Sequence, residues 1–291
     1  MTNAILNLMY SKEVGVNLTE MLELNSMNAT EKIAVILKLR GLFVSYKKNV
    51  LVFSNSSTNN DIRDVIMLLN NYNIPFIHHE KQKIEILVNF ISLEKMKQLF
   101  FAGGKPFPIN YINFHSNWRS FVSRKFGYRV NAYQLEHNVA CLVKAANLAG
   151  LSTYAGCNGH SKKSPRLQFT GPIMGAWFEV IQQLFMVHHT FNYQWEVTYS
   201  GLTGAELRAT SKGKWNQMKI HEDTLKMAMI LESHAAEIRE LKKLSFRKSH
   251  KEIVAGWIEI KNYSALKEWM LRQVQEVQYG TGIVDSSGKG A

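Results

Sequence analysis

Apolar residues in this chain keep changing period, from helical spacing to strict alternation and back, and this restricts the fold more than any motif does. The pattern is clearest in the second half. Tyr133 to Ala149 (YQLEHNVACLVKAANLA) reads as an amphipathic helix stopped by Gly150. LSTYA and PRLQF read as two short strands, and Pro172 to Val187 as a helix whose apolar face is Trp177, Val180, Ile181, Leu184 and Phe185. YQWEVTYS and AELRAT pair across Gly201-Leu202-Thr203-Gly204. His221 to Leu244 then forms a long helix carrying Leu225, Met229, Leu231, Ile238 and Leu241. The order α-β-β-α-β-β-α predicts an antiparallel sheet with helices packed on it.

The first hundred residues alternate in a similar way on a smaller scale. Thr30 to Arg40 is a helix ending at Gly41, LFVSY and NVLVF flank Lys47-Lys48 as a strand pair, and Asp61 to Asn71 is a second helix. IPFIHH and KIEILVNF are two more strands, and Ser92 caps a third helix running to Phe101. No residue-level repeat links the halves, although both have a strand-pair-plus-helix character. The cluster Gly103-Gly104-Lys105-Pro106-Phe107-Pro108 marks a boundary. The expected organisation is therefore α+β throughout: a small N-terminal α+β unit over 1–103, an aromatic and basic connecting segment over 104–131, and a larger core over 132–250. A C-terminal helical segment over 251–281 and an unfolded tail over 282–291 follow.

With 46% hydrophobic and 11% aromatic residues the chain has ample material for a core. Its two cysteines, Cys141 and Cys157, cannot build a disulfide framework. The start MTNAILNLMYSKEVG has no basic leader, and no apolar run reaches the roughly 18 residues of a membrane helix. A soluble protein of the cytoplasm is expected, with no membrane contact. A net charge of +12 and a pI near 9.5 suit phosphate-bearing or acidic partners. Lysine scattered along the chain is equally what a solvated surface looks like. Few prolines, with many Asn, Lys, Ile and Met, is a composition common in phage and mobile-element proteins.

Chemistry concentrates in two places. In the connecting segment Trp118, Arg119, Arg124, Lys125, Tyr128 and Arg129 interleave rings with cations, which suits stacked bases and phosphates or a protein partner. In Ala155-Gly156-Cys157-Asn158-Gly159-His160 a free thiol sits between glycines, with Lys162, Lys163 and Arg166 close behind. Cationic neighbours can stabilise a thiolate nucleophile, which makes Cys157 and His160 the catalytic candidates of an enzyme. The glycines could instead leave amides open to an anion, or supply positive φ under a packed cysteine. Cys157 and His160 provide only two metal ligands and the other histidines offer no matching spacing, so neither metal nor cofactor is expected.

That loop resembles a pattern of uncharacterised phage and prophage proteins, GI-x-T-x-x-SC-x-GH followed by a strand. It is also distantly similar to the Ser-Ser-Cys-Ser-Gly-Arg loop of the wybutosine-synthesis methyltransferases. Cys157 and Gly159 match that second signature, whereas Ala155, Gly156, Asn158 and His160 depart from it. In length, composition and its small-then-large layout the whole chain resembles the phage Gabija anti-defence proteins. That resemblance implies an oligomeric inhibitor that binds a host defence nuclease complex without doing chemistry.

Two functions follow as expectations. The first is the anti-defence inhibitor, with Trp195, Trp215, Trp257 and Trp269 joining Trp118 and Tyr128 as interface candidates. It would oligomerise, as a dimer or larger, through the stripe Leu266, Trp269, Met270, Val274 and Val277. The alternative is a nucleic-acid-binding protein or RNA-modifying enzyme built around Cys157 and His160.

Overall fold

The computed structural model describes residues 2–11, 22, 25–54, 57, 59–79, 82–102, 133, 135–200, 204–211, 213–246 and 250–280. Helix α1 (Thr2–Tyr10) precedes a first unit of α2 (Ala29–Leu39), β1 (Val44–Lys47), β2 (Val50–Phe53), α3 (Asn59–Asn71), β3 (Phe76–His79), β4 (Lys83–Ile86) and α4 (Leu93–Phe101). The second unit is α5 (Ala140–Leu148), β5 (Thr153–Cys157), β6 (Arg166–Phe169), α6 (Pro172–Ile181), β7 (Gln194–Ser200), β8 (Gly204–Thr210) and α7 (Gln217–Ser233). Helices α8 (Ala235–Ser245), α9 (Lys251–Glu259) and α10 (Tyr263–Gly280) complete it. The fold is α+β, with two four-stranded antiparallel sheets packed with helices, as the periodicity predicts.

The sheets share one topology. Their strand orders are β1-β2-β4-β3 and β5-β6-β8-β7, so each unit repeats the other element for element. The residues do not repeat, which is why the sequence alone hides the relation. In the first sheet Leu51, Phe53, Ile84 and Ile86 face inward and are buried, while their neighbours along the strands are more exposed. In the second, Leu167, Phe169, Ala205, Leu207 and Trp195 do the same. Helix α6 lies against this inner face at Gly175, where an added Cβ would stand 2.3 Å from that of Ala205.

Local chemistry sets the element ends. Asn28 caps α2 by accepting from the Glu31 amide, Ser92 caps α4 through Lys95, and Asn216 caps α7 through Met218 and Lys219. Pro172 opens α6 at the position where a missing N–H costs nothing. Three expectations need correcting. The helix expected from Tyr133 begins at Ala140; the Glu136 carbonyl takes the Val139 and Ala140 amides in a lead-in turn, while the Glu136 and Asn138 side chains bond to other segments. The long helix from His221 is two helices, α7 and α8, broken at His234 with φ −102° and ψ 10°. The C-terminal helical segment expected over 251–281 is two helices, α9 and α10, and helix α1, anchored in the core by Ile5, Leu6 and Met9, is an addition to the expected elements.

One hydrophobic cluster runs from Ile5 to Val274 through both units. Polar links cross it. Lys144 of α5 donates to Asp61 of α3 at 2.9 Å, both fully buried. His221 of α7 bonds through Nε2 to the Leu39 carbonyl (3.0 Å) and through Nδ1 to the Tyr10 hydroxyl (3.1 Å). A carbonyl only accepts, so Nε2 carries the proton and the Tyr10 hydroxyl donates to Nδ1. Gly41, at φ +84°, brings the end of α2 against the start of α5; a Cβ there would lie 2.8 Å from the Ala140 carbonyl.

The apolar stripe of α10 is also spent inside the chain. Leu266, Trp269, Met270 and Val274 are buried and Val277 is partly so, against α6 and α8. The stripe is therefore covered within the chain, and is not the surplus apolar face that oligomerisation through it would need. No helix among the described residues is long and apolar enough to cross a membrane.

Candidate functional site

The Cys157 loop joins β5 to β6. Gly159, His160 and Ser161 are three successive residues in the left-handed region, at φ 74°, 50° and 59°. Such a conformation costs a non-glycine residue on the order of 1 kcal/mol or more, so something must hold it. A polar network does. The Asn158 side chain accepts from the His160 amide (2.9 Å) and donates to Asn138 (2.9 Å). Asn138 in turn donates to Gln217 Oε1 (2.6 Å), and Gln217 Nε2 returns to the Asn158 carbonyl (3.3 Å) and the Ser161 hydroxyl (3.1 Å). Gly159 and not Gly156 supplies the positive φ among the glycines. Gly156 instead makes room for α5, since a Cβ would meet Val143 at 3.3 Å.

The turned-back loop faces a residue the sequence did not nominate. Glu136, just before α5, accepts from the Asn158 amide through one oxygen and meets His160 Nε2 at 3.0 Å through the other. The carboxylate of Glu136, the sulfur of Cys157 and a ring nitrogen of His160 all lie within 4.8 Å of one another. The Gly159 amide points at the sulfur, 3.4 Å away. With the amides of Asn158, Gly159 and His160 all engaged inside the loop, the open anion-binding turn expected as one reading is closed. Its anion is Glu136.

Burial pushes the Cys157 thiol up, and the Glu136 carboxylate beside it pushes the same way. The Gly159 amide, Arg166 and Lys163 oppose this with smaller effects. Glu136 is itself raised by burial, against the pull of the Asn158 amide and His160. The thiol is thus held in its protonated form, contrary to what a free thiolate nucleophile requires. A bound cation would reverse that balance.

Compared with known proteins, the chain matches no family model, no curated protein and no solved structure. The site must be read from its own geometry.

Cys157 lies on the outer face of the second sheet, opposite Arg166, which pairs with Arg208, which pairs with Glu196. Beside this row Glu206 bonds to Arg208, takes a hydrogen bond from Gln168 (3.2 Å) and stands 3.9 Å from Arg166. Lys162 and Lys163 are exposed next to it. Arg208 and Glu206 have no motif around them and become visible only through strand register. Among the described residues, two surface clefts of about 500 and 590 Å³ lie beside β7, and the loop lines neither of them.

The remaining candidates divide. Trp118, Arg119, Arg124, Lys125, Tyr128 and Arg129 lie outside the described residues. Trp195 and Trp269 are buried, and Trp215 and Trp257 pack half-buried against the core, so these four are not the exposed interface rings expected of them. Trp195 donates its indole N–H to the buried Asp223 at 2.8 Å, an internal tie between β7 and α7.

Proposed function

We propose that the chain acts on nucleic acid, holding a phosphate backbone across the outer face of the second sheet with the Cys157–His160 loop at its edge. The observation that carries this reading is the pair Arg166 and Arg208, directly opposite each other on neighbouring strands with Glu206 between them. Glu206 and Glu196 offset the like-charge repulsion in part, and both guanidinium side chains stay about 40% exposed, open to an anionic ligand. Lys162 and Lys163 extend the cationic row towards the loop, and the net charge of +12 attracts a polyanion at longer range. Fluorescence anisotropy with labelled RNA and DNA, single- and double-stranded, tests it. Arg166→Ala with Arg208→Ala is expected to weaken binding at least tenfold and to reduce the slope of log K against log salt by about 2. Unchanged affinity and slope in the folded double variant would remove the reading.

A second reading keeps the protein-binding inhibitor of a Gabija-like defence nuclease complex. It is favoured by Leu87, Phe90 and Leu93, large apolar side chains exposed within seven residues of sequence on the first unit. Co-purification with that nuclease complex, lost on Phe90→Asp, would support it over nucleic-acid binding.

A further inference from the structure

We propose that Glu136, Cys157 and His160 form a site for a zinc-type divalent cation, bound by a carboxylate oxygen, a thiolate sulfur and an imidazole nitrogen. Their ligand atoms converge within 4.8 Å, from two segments that the fold brings together across 21 residues of sequence. Zinc bonds of about 2.0–2.3 Å in a tetrahedron put neighbouring ligands about 3.5 Å apart. The Glu136–His160 contact at 3.0 Å is already inside that spacing, so an ion replaces one hydrogen bond and draws the remaining ligand atoms in by about 1 Å.

The surroundings suit such a site. Ligands of metals are oriented by outer hydrogen bonds, and here the Asn158 amide fixes the carboxylate while the Gly159 amide points at the sulfur. The left-handed turn that carries His160 back to Glu136 is held by the Asn158–Asn138–Gln217 network with no metal needed. The frame is therefore preorganised. One thiolate and one carboxylate neutralise a dication, and the sulfur selects zinc, cobalt or another thiophilic ion over magnesium or calcium. Glu136 and Cys157 are half-buried and His160 exposed, so three protein ligands leave a fourth position facing solvent, the arrangement of reactive rather than purely structural zinc.

The site shares its loop with the nucleic-acid reading, but a metal titration contains no nucleic acid, so either can fail without the other. Untagged full-length protein, stripped with chelator, is titrated with Co(II) alone and then with Zn(II). About one equivalent of cobalt is expected to bind, with a thiolate-to-cobalt charge-transfer absorption that zinc abolishes. Cys157→Ser is expected to remove the band, and Cys141→Ala to keep it. His160→Ala, a change at an exposed side chain that circular dichroism will show to be folded, and Glu136→Gln are each expected to weaken binding at least tenfold. Three results would each overturn the site: no charge-transfer band in the folded wild-type chain, a band that survives Cys157→Ser, or unweakened binding by His160→Ala.

Discussion

At the scale of single residues, the most exacting positions are buried polar ones away from the candidate site. His221 is enclosed by Tyr10, Phe100 and His137, and burial pushes its pKa down to about 3, with the nearby His137 and Arg40 charges adding to the effect. His137 is lowered to about 3 as well, by burial and then by Arg40. A depressed folded pKa means stability that is present above the unfolded value of about 6.5 and is lost as pH falls towards 3. Each histidine is expected to cost about 2 kcal/mol by pH 5, read as a falling urea midpoint, and His221→Gln should flatten that slope. Gly41 is the second such position. Gly41→Ala combines positive φ with a Cβ 2.8 Å from backbone atoms of Ala140 and Cys141, and is expected to cost on the order of 3 kcal/mol in denaturant unfolding. The same scale explains what could be read of the site. Cys157 and His160 stand three apart in a loop of small residues, so composition exposed them. Glu136 stayed hidden because its neighbours carry helical periodicity; only the start of α5 at Ala140 reveals it as a loop residue with a free reach.

At the scale of elements, periodicity placed every strand and most helices, because each strand pair is short, alternates cleanly and ends at a cap or a glycine. It failed where tertiary contacts override propensity. The run from Tyr133 to Val139 has helical spacing, yet its Asn138 and Glu136 side chains are worth more to the Cys157 loop than to a first turn. The α10 stripe was legible as apolar but not as internal, since periodicity reports that a face is covered without saying by what. Its burial against α6 and α8 changes the expected result of truncation. Removing residues 263–291 strips the cover from α6, and is expected to lower the thermal midpoint sharply and cause aggregation. A truncated chain that stays folded and monodisperse by light scattering and calorimetry would contradict this placement. Gly175 makes the same point in reverse: Gly175→Ala forces α6 off β8 and is expected to cost about 1–3 kcal/mol.

At the scale of the whole molecule, two units of one topology are joined by a core that belongs to both, and charge is part of the join. Removing either partner of the Lys144–Asp61 pair takes a counter-charge away from a fully buried ion, so Lys144→Met or Asp61→Leu alone is expected to cost about 3–5 kcal/mol. The double variant should recover most of that loss in urea unfolding, because an apolar pair of similar volume needs no counterion. The common core also fixes what the peptide connection between the units contributes. It acts as an effective concentration that keeps two mutually dependent pieces together. Residues 1–102 and 133–291 produced as separate polypeptides are therefore expected to be insoluble singly and to reconstitute when co-expressed, as complementing fragments whose affinity measures the shared core directly.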